Sequence, residues 1–276
     1  MTRHLKYSSS SHGALAENGQ HCFAARFALN HYQSNSIYSF IPKNGCTTMR
    51  YSLALANGCI QVQADFKWIH LNNRSFSASL RELACANYCF VILRCPYARL
   101  ASAFVDKIVP LKGSGRSHHL SNFIKISGYP VNDIDKLTFR LFCQALAKPK
   151  VLRGDIHWRP QLDYLVYQDY DDYFRLEQFN EAIPEIERRT GITLHDARNL
   201  SRHGTDQLTL ITEGCYADTP MATLSEMKTT GVMPTHGGLY DNALRQQIGQ
   251  IFAMDFELLK AKAPLVSISQ AENLHG

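Results

Sequence analysis

The chain has 276 residues, enough to bury one large hydrophobic core. Hydrophobic residues make up 45% of it and charged residues 19%, which is typical of a globular protein and excludes a disordered or fibrous chain. The formal net charge of +5 favours an anionic ligand. Because the chain has no long run of lysine or arginine and no RNA-binding signature, nucleic acid is not a predicted partner.

The two ends of the chain differ in composition from its middle. Residues 1–20 are polar and rich in serine, so they are expected to be disordered or loosely attached, while residues 21–35 fit either a short helix or an edge strand. We therefore predict an N-terminal extension over 1–34, partly disordered, a single domain over 35–263 and a tail over 264–276.

No segment has the pattern of a signal peptide or a transmembrane helix. The eight cysteines are scattered and include no C-x-x-C pair, which argues against a structural zinc site. They are predicted to be reduced thiols, and the chain is expected to be cytoplasmic.

A strand, a tight turn and a helix are predicted over residues 36–57. Ile37 to Ile41 is an apolar and aromatic run, typical of a buried strand. From Thr47 the apolar residues recur with helical spacing, and Gly58 is expected to end the helix. A helix N-terminus carries partial positive charge and amides without intrahelical partners, so the turn that precedes it is a predicted anion site.

The residues of the turn support this prediction. The turn and the first residues of the helix read Pro42-Lys43-Asn44-Gly45-Cys46-Thr47-Thr48. The lysine adds a full positive charge, and the two threonines add hydroxyl donors. The pattern differs from the common nucleotide-binding loop, G-x-x-x-x-G-K-[ST], because the lysine precedes the only glycine. We therefore predict a loop that binds phosphate or sulfate.

A second strand and helix carry another predicted phosphate contact. Cys89 to Leu93 is a continuous apolar run, typical of a central parallel strand, and Pro96 is placed where a helix begins. Arg94 follows the end of the strand, and Ser102 lies on the second turn of the helix. A guanidinium group and a hydroxyl group at this spacing can converge on one phosphate.

Both motifs resemble those of sulfotransferases that use 3′-phosphoadenosine 5′-phosphosulfate (PAPS), in the form found in the membrane-associated, Golgi-type carbohydrate sulfotransferases and their bacterial relatives. The order Pro-Lys-x-Gly-Cys-Thr resembles the loop that receives the 5′-phosphosulfate. Arg94, Pro96, Arg99 and Ser102 resemble the motif that binds the 3′-phosphate, although Cys95 departs from the usual acid or amide. The resemblance implies that no metal is needed and that the cofactor is contacted by Pro42, Lys43, Asn44, Gly45, Cys46, Thr47, Thr48, Arg94 and Ser102. A bacterial source is expected, but the sequence does not give the organism.

Two histidines are candidates for the base that must deprotonate the acceptor, and Lys43 is the candidate for charge stabilisation at the breaking bond. His157 lies in Gly154-Asp-Ile-His-Trp-Arg-Pro-Gln161, which also resembles these enzymes and predicts a fixed, partly buried turn. His70 lies in a segment, residues 66–74, that fits a short strand or an extended loop. Each histidine could instead be a packing residue, and Asp155 is the next candidate if neither is the base.

The remaining segments are predicted by periodicity and capping. We expect a helix over Ser79–Ala86 and a helix that is capped by Asp133 and ends near Pro149. We also expect a strand over Tyr173–Glu177, a helix over 178–190 and a last helix over 241–262. Arg175 and Glu177 are interpreted as structural. We expect irregular structure over Pro110–Asp133 and over 195–240, where Asn199–Gly204 is a weak candidate for closing over the nucleotide.

Apolar strands that alternate with amphipathic helices predict an α/β fold, a parallel sheet flanked by helices in a single domain. The resemblance implies that this sheet is like that of the P-loop nucleotide kinases, and that the chain transfers a sulfonate group from PAPS to a hydroxyl of a carbohydrate or glycolipid, leaving adenosine 3′,5′-bisphosphate. A nucleotide kinase and a non-catalytic saccharide-binding protein with a relic cofactor site are the alternatives. Binding of adenosine 3′,5′-bisphosphate separates the three.

Overall fold

Helices and strands alternate along the chain in the computed structural model, which describes residues 3–61, 63–72, 74–197, 200 and 208–265. The strands are β1 (Ala28–His31), β2 (Ser36–Ser39), β3 (Tyr88–Leu93), β4 (Asp172–Arg175), β5 (Thr209–Ile211) and β6 (Val232–Pro234). The α-helices are α1 (Gly19–Ala25), α2 (Cys46–Ala56), α3 (Trp68–Leu71), α4 (Leu80–Cys85), α5 (Pro96–Ala103), α6 (His118–Ser127), α7 (Phe139–Ala145), α8 (Pro149–Leu152), α9 (Phe179–Thr190), α10 (Met221–Thr229), α11 (Asn242–Ile251) and α12 (Ala253–Lys262). Short 3₁₀ segments span Ser10–His12, Gln63–Lys67, Val131–Lys136, Gln161–Tyr164, Leu176–Gln178 and Gly237–Leu239, and a π-helical turn, Phe104–Ile108, extends α5.

The main sheet has four strands in the order β1-β2-β3-β4. β2, β3 and β4 run parallel, with Ile37 opposite Cys89 and Val91 opposite Tyr173, and β1 pairs antiparallel with β2. The predicted α/β architecture with parallel strands flanked by helices is thus confirmed. Because β2 and β3 are parallel neighbours, their carboxyl ends meet at one edge of the sheet, where a ligand is expected to bind.

The core covers both faces of this sheet, which is why β3 is apolar throughout. Side chains alternate along the strand. Phe90 and Ile92 pack under α2 and α9 on one face, while Cys89, Val91 and Leu93 pack under α1 and α12 on the other. A further apolar cluster, which includes the buried Trp158, joins α5, α6, α7, α10 and α11.

The N-terminal segment packs against the body of the protein. Leu5 and Tyr7 are buried, and the Arg3 guanidinium donates to the Asp171 carboxylate over 2.9 Å and to the Ala86 carbonyl over 3.0 Å. The expectation that residues 1–20 are loosely attached is therefore wrong for residues 3–7. Both alternatives for residues 21–35 are present, since α1 and the edge strand β1 follow each other there.

Three segments contain helices that were not predicted. Residues 66–74 are not a strand or extended loop, because they include the end of a 3₁₀ segment and α3. The long loop predicted over Pro110–Asp133 contains α6, which is capped by the Ser117 hydroxyl and ends at Gly128. Residues 195–240 contain α10 between the parallel strands β5 and β6. The candidate closing segment, Asn199–Gly204, lies outside the described residues apart from Leu200.

Two predicted helices have different bounds. Asp133 lies inside a 3₁₀ segment, and α7 begins only after Thr138, whose hydroxyl accepts from the Leu141 amide over 3.2 Å. The last predicted helix is divided at Phe252 into α11 and α12. Among the described residues, none of the helices combines the length and the apolar character needed to cross a membrane.

Candidate active site

The turn between β2 and α2 is held in a left-handed backbone conformation. Lys43 has a φ of +73° and Gly45 a φ of +69°. Glycine adopts such angles readily, but a lysine does so only at an energetic cost. A Cβ atom at Gly45 would also lie 2.9 Å from the Leu176 Cδ1 atom. The turn therefore needs its glycine both for backbone conformation and for space.

This turn opens onto a cleft of about 1490 Å³ at the carboxyl edge of the sheet. Almost all predicted site residues line it, and these are Pro42, Lys43, Gly45, Cys46, Thr47, Thr48, His70, Arg94, Ser102 and His157. The first amides of α2 have no acceptor within the helix, as at any helix start, and they lie at the wall of this cleft. The structure thus brings both predicted phosphate motifs to one concave surface.

Asn44 is the exception among the predicted cofactor contacts. Its side chain is buried behind the turn, where Nδ2 donates to the Ile92 carbonyl over 2.9 Å and to Gln161 Oε1 over 2.6 Å. Its backbone amide donates to the Ile41 carbonyl. Since these donors are used inside the protein, the prediction that Asn44 contacts the cofactor does not fit its placement. Its contacts tie the turn to the end of β3.

Gln161 joins the two phosphate motifs. Its Oε1 accepts from the Arg94 amide over 3.0 Å as well as from Asn44, and its Nε2 donates to the Arg94 carbonyl over 2.8 Å. Its own amide donates to the buried Asp255 carboxylate over 2.7 Å. A fully buried amide that satisfies three groups in this way fixes their relative positions. Gln161 therefore has a structural role, because its hydrogen bonds hold the turn and the end of β3 together.

Arg99 also has a structural role, and its side chain does not line the cleft. It is buried under Tyr164, and it donates to the carbonyls of Pro42, Arg159 and Ile156 over 3.1, 2.8 and 3.4 Å. It therefore joins the anion turn to the segment that carries His157.

Lys43 is paired inside the cleft wall. Its Nζ lies 2.9 Å from Asp106 Oδ2, and the Lys107 Nζ lies 3.0 Å from the same oxygen. Only 15% of the Lys43 side chain and 11% of the Asp106 side chain are exposed, so both groups are largely buried in the wall of the cleft. Burial lowers the pKa of Lys43, although Asp106 opposes this shift. Burial would raise the pKa of Asp106, but the two lysines hold it well below its usual range.

Arg94 lies beside the anion turn. Its guanidinium donates to the Lys43 carbonyl over 2.8 Å, and the Ser102 hydroxyl lines the same cleft from α5. The amide of Cys95 donates to Glu177 Oε1 over 2.8 Å. This carboxylate, which also contacts the Arg175 Nε over 3.4 Å, stabilises the start of α5. These contacts agree with a structural role for Arg175 and Glu177.

The fixed turn predicted around His157 is confirmed, and it holds a cluster of three polar residues. Trp158 is fully buried and donates to the Val151 carbonyl over 2.9 Å. The Asp155 carboxylate contacts His157 Nδ1 over 2.9 Å and His119 Nδ1 over 2.8 Å. Burial opposes the ionisation of Asp155, but the hydrogen bonds to both histidines hold its pKa well below its usual range.

The charge state of His157 follows from the same surroundings. Burial is the main cause that lowers the pKa of His157 to about 4, with Lys107 and His119 adding to it and Asp155 opposing it. His157 is therefore neutral at pH 7. The ligand-type atoms of His119, Asp155 and His157 lie within 4.8 Å of one another, close enough for a metal ion. The contacts of 2.8 and 2.9 Å, however, have the length of hydrogen bonds.

His70 occupies a different setting. It is exposed on the short helix α3 and lies edge-on to Phe66, with ring centroids 5.3 Å apart. Both candidate histidines line the cleft, but His157 alone of the two lies in the Asp155 cluster.

Four polar residues of the site were missed from the sequence. Asp106 and His119 line the cleft, as does Lys228, whose Nζ donates to the Val105 and Val109 carbonyls over 2.7 Å each. His236 has a buried Nε2 without a hydrogen-bond partner in the described part of the chain, and burial beside Arg94 and Lys43 lowers its pKa to about 4. Only Asp106 carried a sequence signal, since it lies one helical turn beyond Ser102.

A family model described as "Sulfotransferase family" matches residues 31–260 of the chain. A search of the curated proteins found no significant match, and neither did a search of the solved structures.

Proposed function

We propose that this chain, which belongs to the sulfotransferase family because the family model matches residues 31–260, transfers a sulfonate group from PAPS. The proposed acceptor is a hydroxyl of a carbohydrate or glycolipid. One observation carries this proposal. The turn with Lys43, the pair Arg94 and Ser102, and the cluster around His157 all line the same cleft. A nucleotide with two separate phosphate groups and a hydroxyl acceptor both require such an arrangement.

The two phosphate motifs are proposed to hold the two ends of the donor. The turn and the first amides of α2 would receive the 5′-phosphosulfate, since backbone N–H groups and the helix dipole favour an anion there. Arg94 and Ser102 would receive the 3′-phosphate through charge-assisted hydrogen bonds. The contact between the Arg94 guanidinium and the Lys43 carbonyl fixes these two subsites relative to each other.

Lys43 is proposed to stabilise the charge that develops on the oxygen between phosphate and sulfur as the bond to sulfur breaks. Its ammonium group has three N–H donors, and Asp106 accepts from one of them. Asp106 also favours the charged form of Lys43 against burial, because it opposes the lowering of the lysine pKa. The carboxylate thus prepares the lysine for an anionic substrate.

The acceptor must lose a proton, and His157 is the base that we favour over His70. Its Nδ1 contacts the Asp155 carboxylate, so the imidazole is held in one orientation, and a catalytic base needs such positioning. His70 lies on the four-residue helix α3, outside the Asp155 cluster, and its side chain is exposed.

The donor can be tested by calorimetric titration with adenosine 3′,5′-bisphosphate, adenosine 5′-phosphate and ATP. We expect the bisphosphate to bind tightest. Preference for ATP would favour a nucleotide kinase, and binding of none of them would favour a protein with a relic site. Transfer is then tested with labelled PAPS and an extract of glycans and lipids. Lys125→Ala, an exposed lysine of α6 outside the cleft, serves as the matched control for changes in charge.

A further inference from the structure

Asp155 bridges two histidines that both line the cleft. Its Oδ1 lies 2.9 Å from His157 Nδ1 and its Oδ2 lies 2.8 Å from His119 Nδ1. The two rings have centroids 4.3 Å apart and planes at 74°. An ionised carboxylate can only accept hydrogen bonds, so a histidine that contacts it in the neutral form must carry its proton on Nδ1. Each Nε2 then has a free lone pair, which is the state required of a base.

The three residues come from two segments that lie 36 residues apart in the chain. The Ser117 hydroxyl accepts from the Leu120 amide over 3.0 Å and so sets the first turn of α6, which carries His119. The backbone amide of His157 donates to Asp155 Oδ1 over 2.9 Å, which sets the other histidine. The side chains of His119 and His157 remain 23% and 13% exposed, so both can be reached from the cleft.

We propose that His119 and His157, joined through Asp155, form one proton-accepting unit for the acceptor hydroxyl. The two histidines are catalytic residues, and Asp155 is a positioning residue. This inference rests on the sulfonate transfer proposed above. It adds His119 and Asp155 to the reaction, and it replaces a single base by a pair.

The chemistry of the step is balanced within the unit. The acceptor hydroxyl gives its proton to an imidazole Nε2, and its oxygen forms a bond to sulfur. The bond from sulfur to the bridging oxygen breaks, and its electron pair stays on the departing adenosine 3′,5′-bisphosphate. The imidazolium formed lies next to the Asp155 carboxylate and later releases its proton to solvent. With both histidines neutral the unit carries one negative charge, so one added proton makes it neutral.

The surrounding charges explain why the carboxylate is needed. Lys107 faces His157 and opposes an imidazolium there, and His118 lies with its ring centroid 5.7 Å from that of His119. Tyr164 is buried near Asp155 with its own pKa raised by burial, so it remains a neutral phenol. Asp155 is thus the anion in direct contact with both histidines, and it stabilises the proton that the unit as a whole takes.

Turnover at saturating PAPS tests the pair. His119→Asn keeps a donor near the Nδ1 position but has no basic nitrogen, and His157→Asn does the same. Each is expected to lower turnover about a hundred- to ten-thousandfold without weakening cofactor binding. The double variant should fall within threefold of the more severe single variant, because the two act as one unit. His118→Ala, an exposed neighbour that does not line the cleft, is the control.

Asp155→Asn tests the positioning role. An amide accepts from one imidazole but donates to the other, so one histidine must move its proton to Nε2 and cease to be a base. Turnover should fall, and the acidic limb of its pH profile should move to lower pH, because the imidazolium loses its carboxylate. A merely structural aspartate would lower the amount of folded protein without moving the limb.

An activity-independent measurement separates this inference from the proposed function. Long-range ¹H–¹⁵N spectra of the wild-type protein should show both imidazoles as the Nδ1–H form, and Asp155→Asn should convert one of them to the Nε2–H form. Wild-type spectra with the Nε2–H form at either position would overturn the unit. So would wild-type turnover in His119→Asn, independent losses that multiply in the double variant, or activity lost on chelation and restored by Zn²⁺. If the spectra agree but no acceptor is ever sulfated, the proposed function fails and the hydrogen-bonded unit stands.

Discussion

Replacement of Lys43 by glycine and by alanine separates the chemistry of this residue from its backbone conformation. Both variants remove the ammonium group that is proposed to stabilise the leaving oxygen. Only the glycine variant also removes the Cβ from a backbone with a φ of +73°. The two variants should therefore lose activity to the same extent but differ in folding stability.

The magnitudes follow from the surroundings of Lys43. Loss of a charge that stabilises a breaking bond costs about 3–4 kcal/mol, or roughly a hundred- to a thousandfold in turnover. Removal of one partner from a buried ion pair costs about 3–5 kcal/mol of folding stability when the other is left alone. Asp106 keeps Lys107 at 3.0 Å, so we expect a loss below that range. Left-handed conformation costs an L-residue about 1–2 kcal/mol, so Lys43→Gly should be more stable than Lys43→Ala by about 1 kcal/mol.

The assays are denaturant unfolding and sulfate transfer from labelled PAPS. Lys112→Ala is the matched control, because it removes a lysine from an exposed ion pair with Glu226 and should change stability by about 1 kcal/mol or less. Transfer within threefold of wild type in both Lys43 variants would refute the role of the turn. Equal stability of the two variants would refute the argument from the backbone.

Other expected outcomes concern the rest of the site. In calorimetry, Arg94→Ala and Ser102→Ala should weaken the binding of adenosine 3′,5′-bisphosphate but hardly change the binding of adenosine 5′-phosphate. Equal losses of affinity for both nucleotides would contradict a 3′-phosphate contact. Gly45→Ala should lower the free energy of unfolding by about 1–3 kcal/mol, since the φ of +69° and a contact of 2.9 Å both oppose a Cβ. His70→Ala should keep turnover within threefold of wild type at saturating PAPS, and a hundredfold loss would make it the base. The pKa of Asp155 is depressed by folding, so its contribution to stability is present above about pH 4 and is lost as the pH falls further. The difference in the free energy of unfolding between wild type and Asp155→Asn should therefore be smaller at pH 3 than at pH 7.

The sequence alone determined the parts of this protein that depend on neighbouring residues. Apolar runs placed β2 and β3, Gly58 placed the end of α2 and Pro96 placed the start of α5, because these features follow from local periodicity and backbone preference. The two phosphate motifs could be recognised for the same reason, since a strand end, a turn and a helix start lie within a dozen residues. Local rules failed for α6, whose capping residue Ser117 was present but lay in a glycine- and serine-rich segment.

The tertiary structure decided which side chains meet. Asn44 was predicted to face the cofactor, yet it donates to Gln161, which is 117 residues away in sequence. Asp106 pairs with Lys43 across 63 residues, and His119 meets Asp155 across 36. No periodicity in the sequence encodes such contacts, because they arise only when parallel strands bring their carboxyl ends together and the helices pack around them. The position of the turn and of Arg94 at the ends of neighbouring strands could therefore be predicted from local sequence, whereas the partners that set their charges and hold the histidines depend on how distant segments pack.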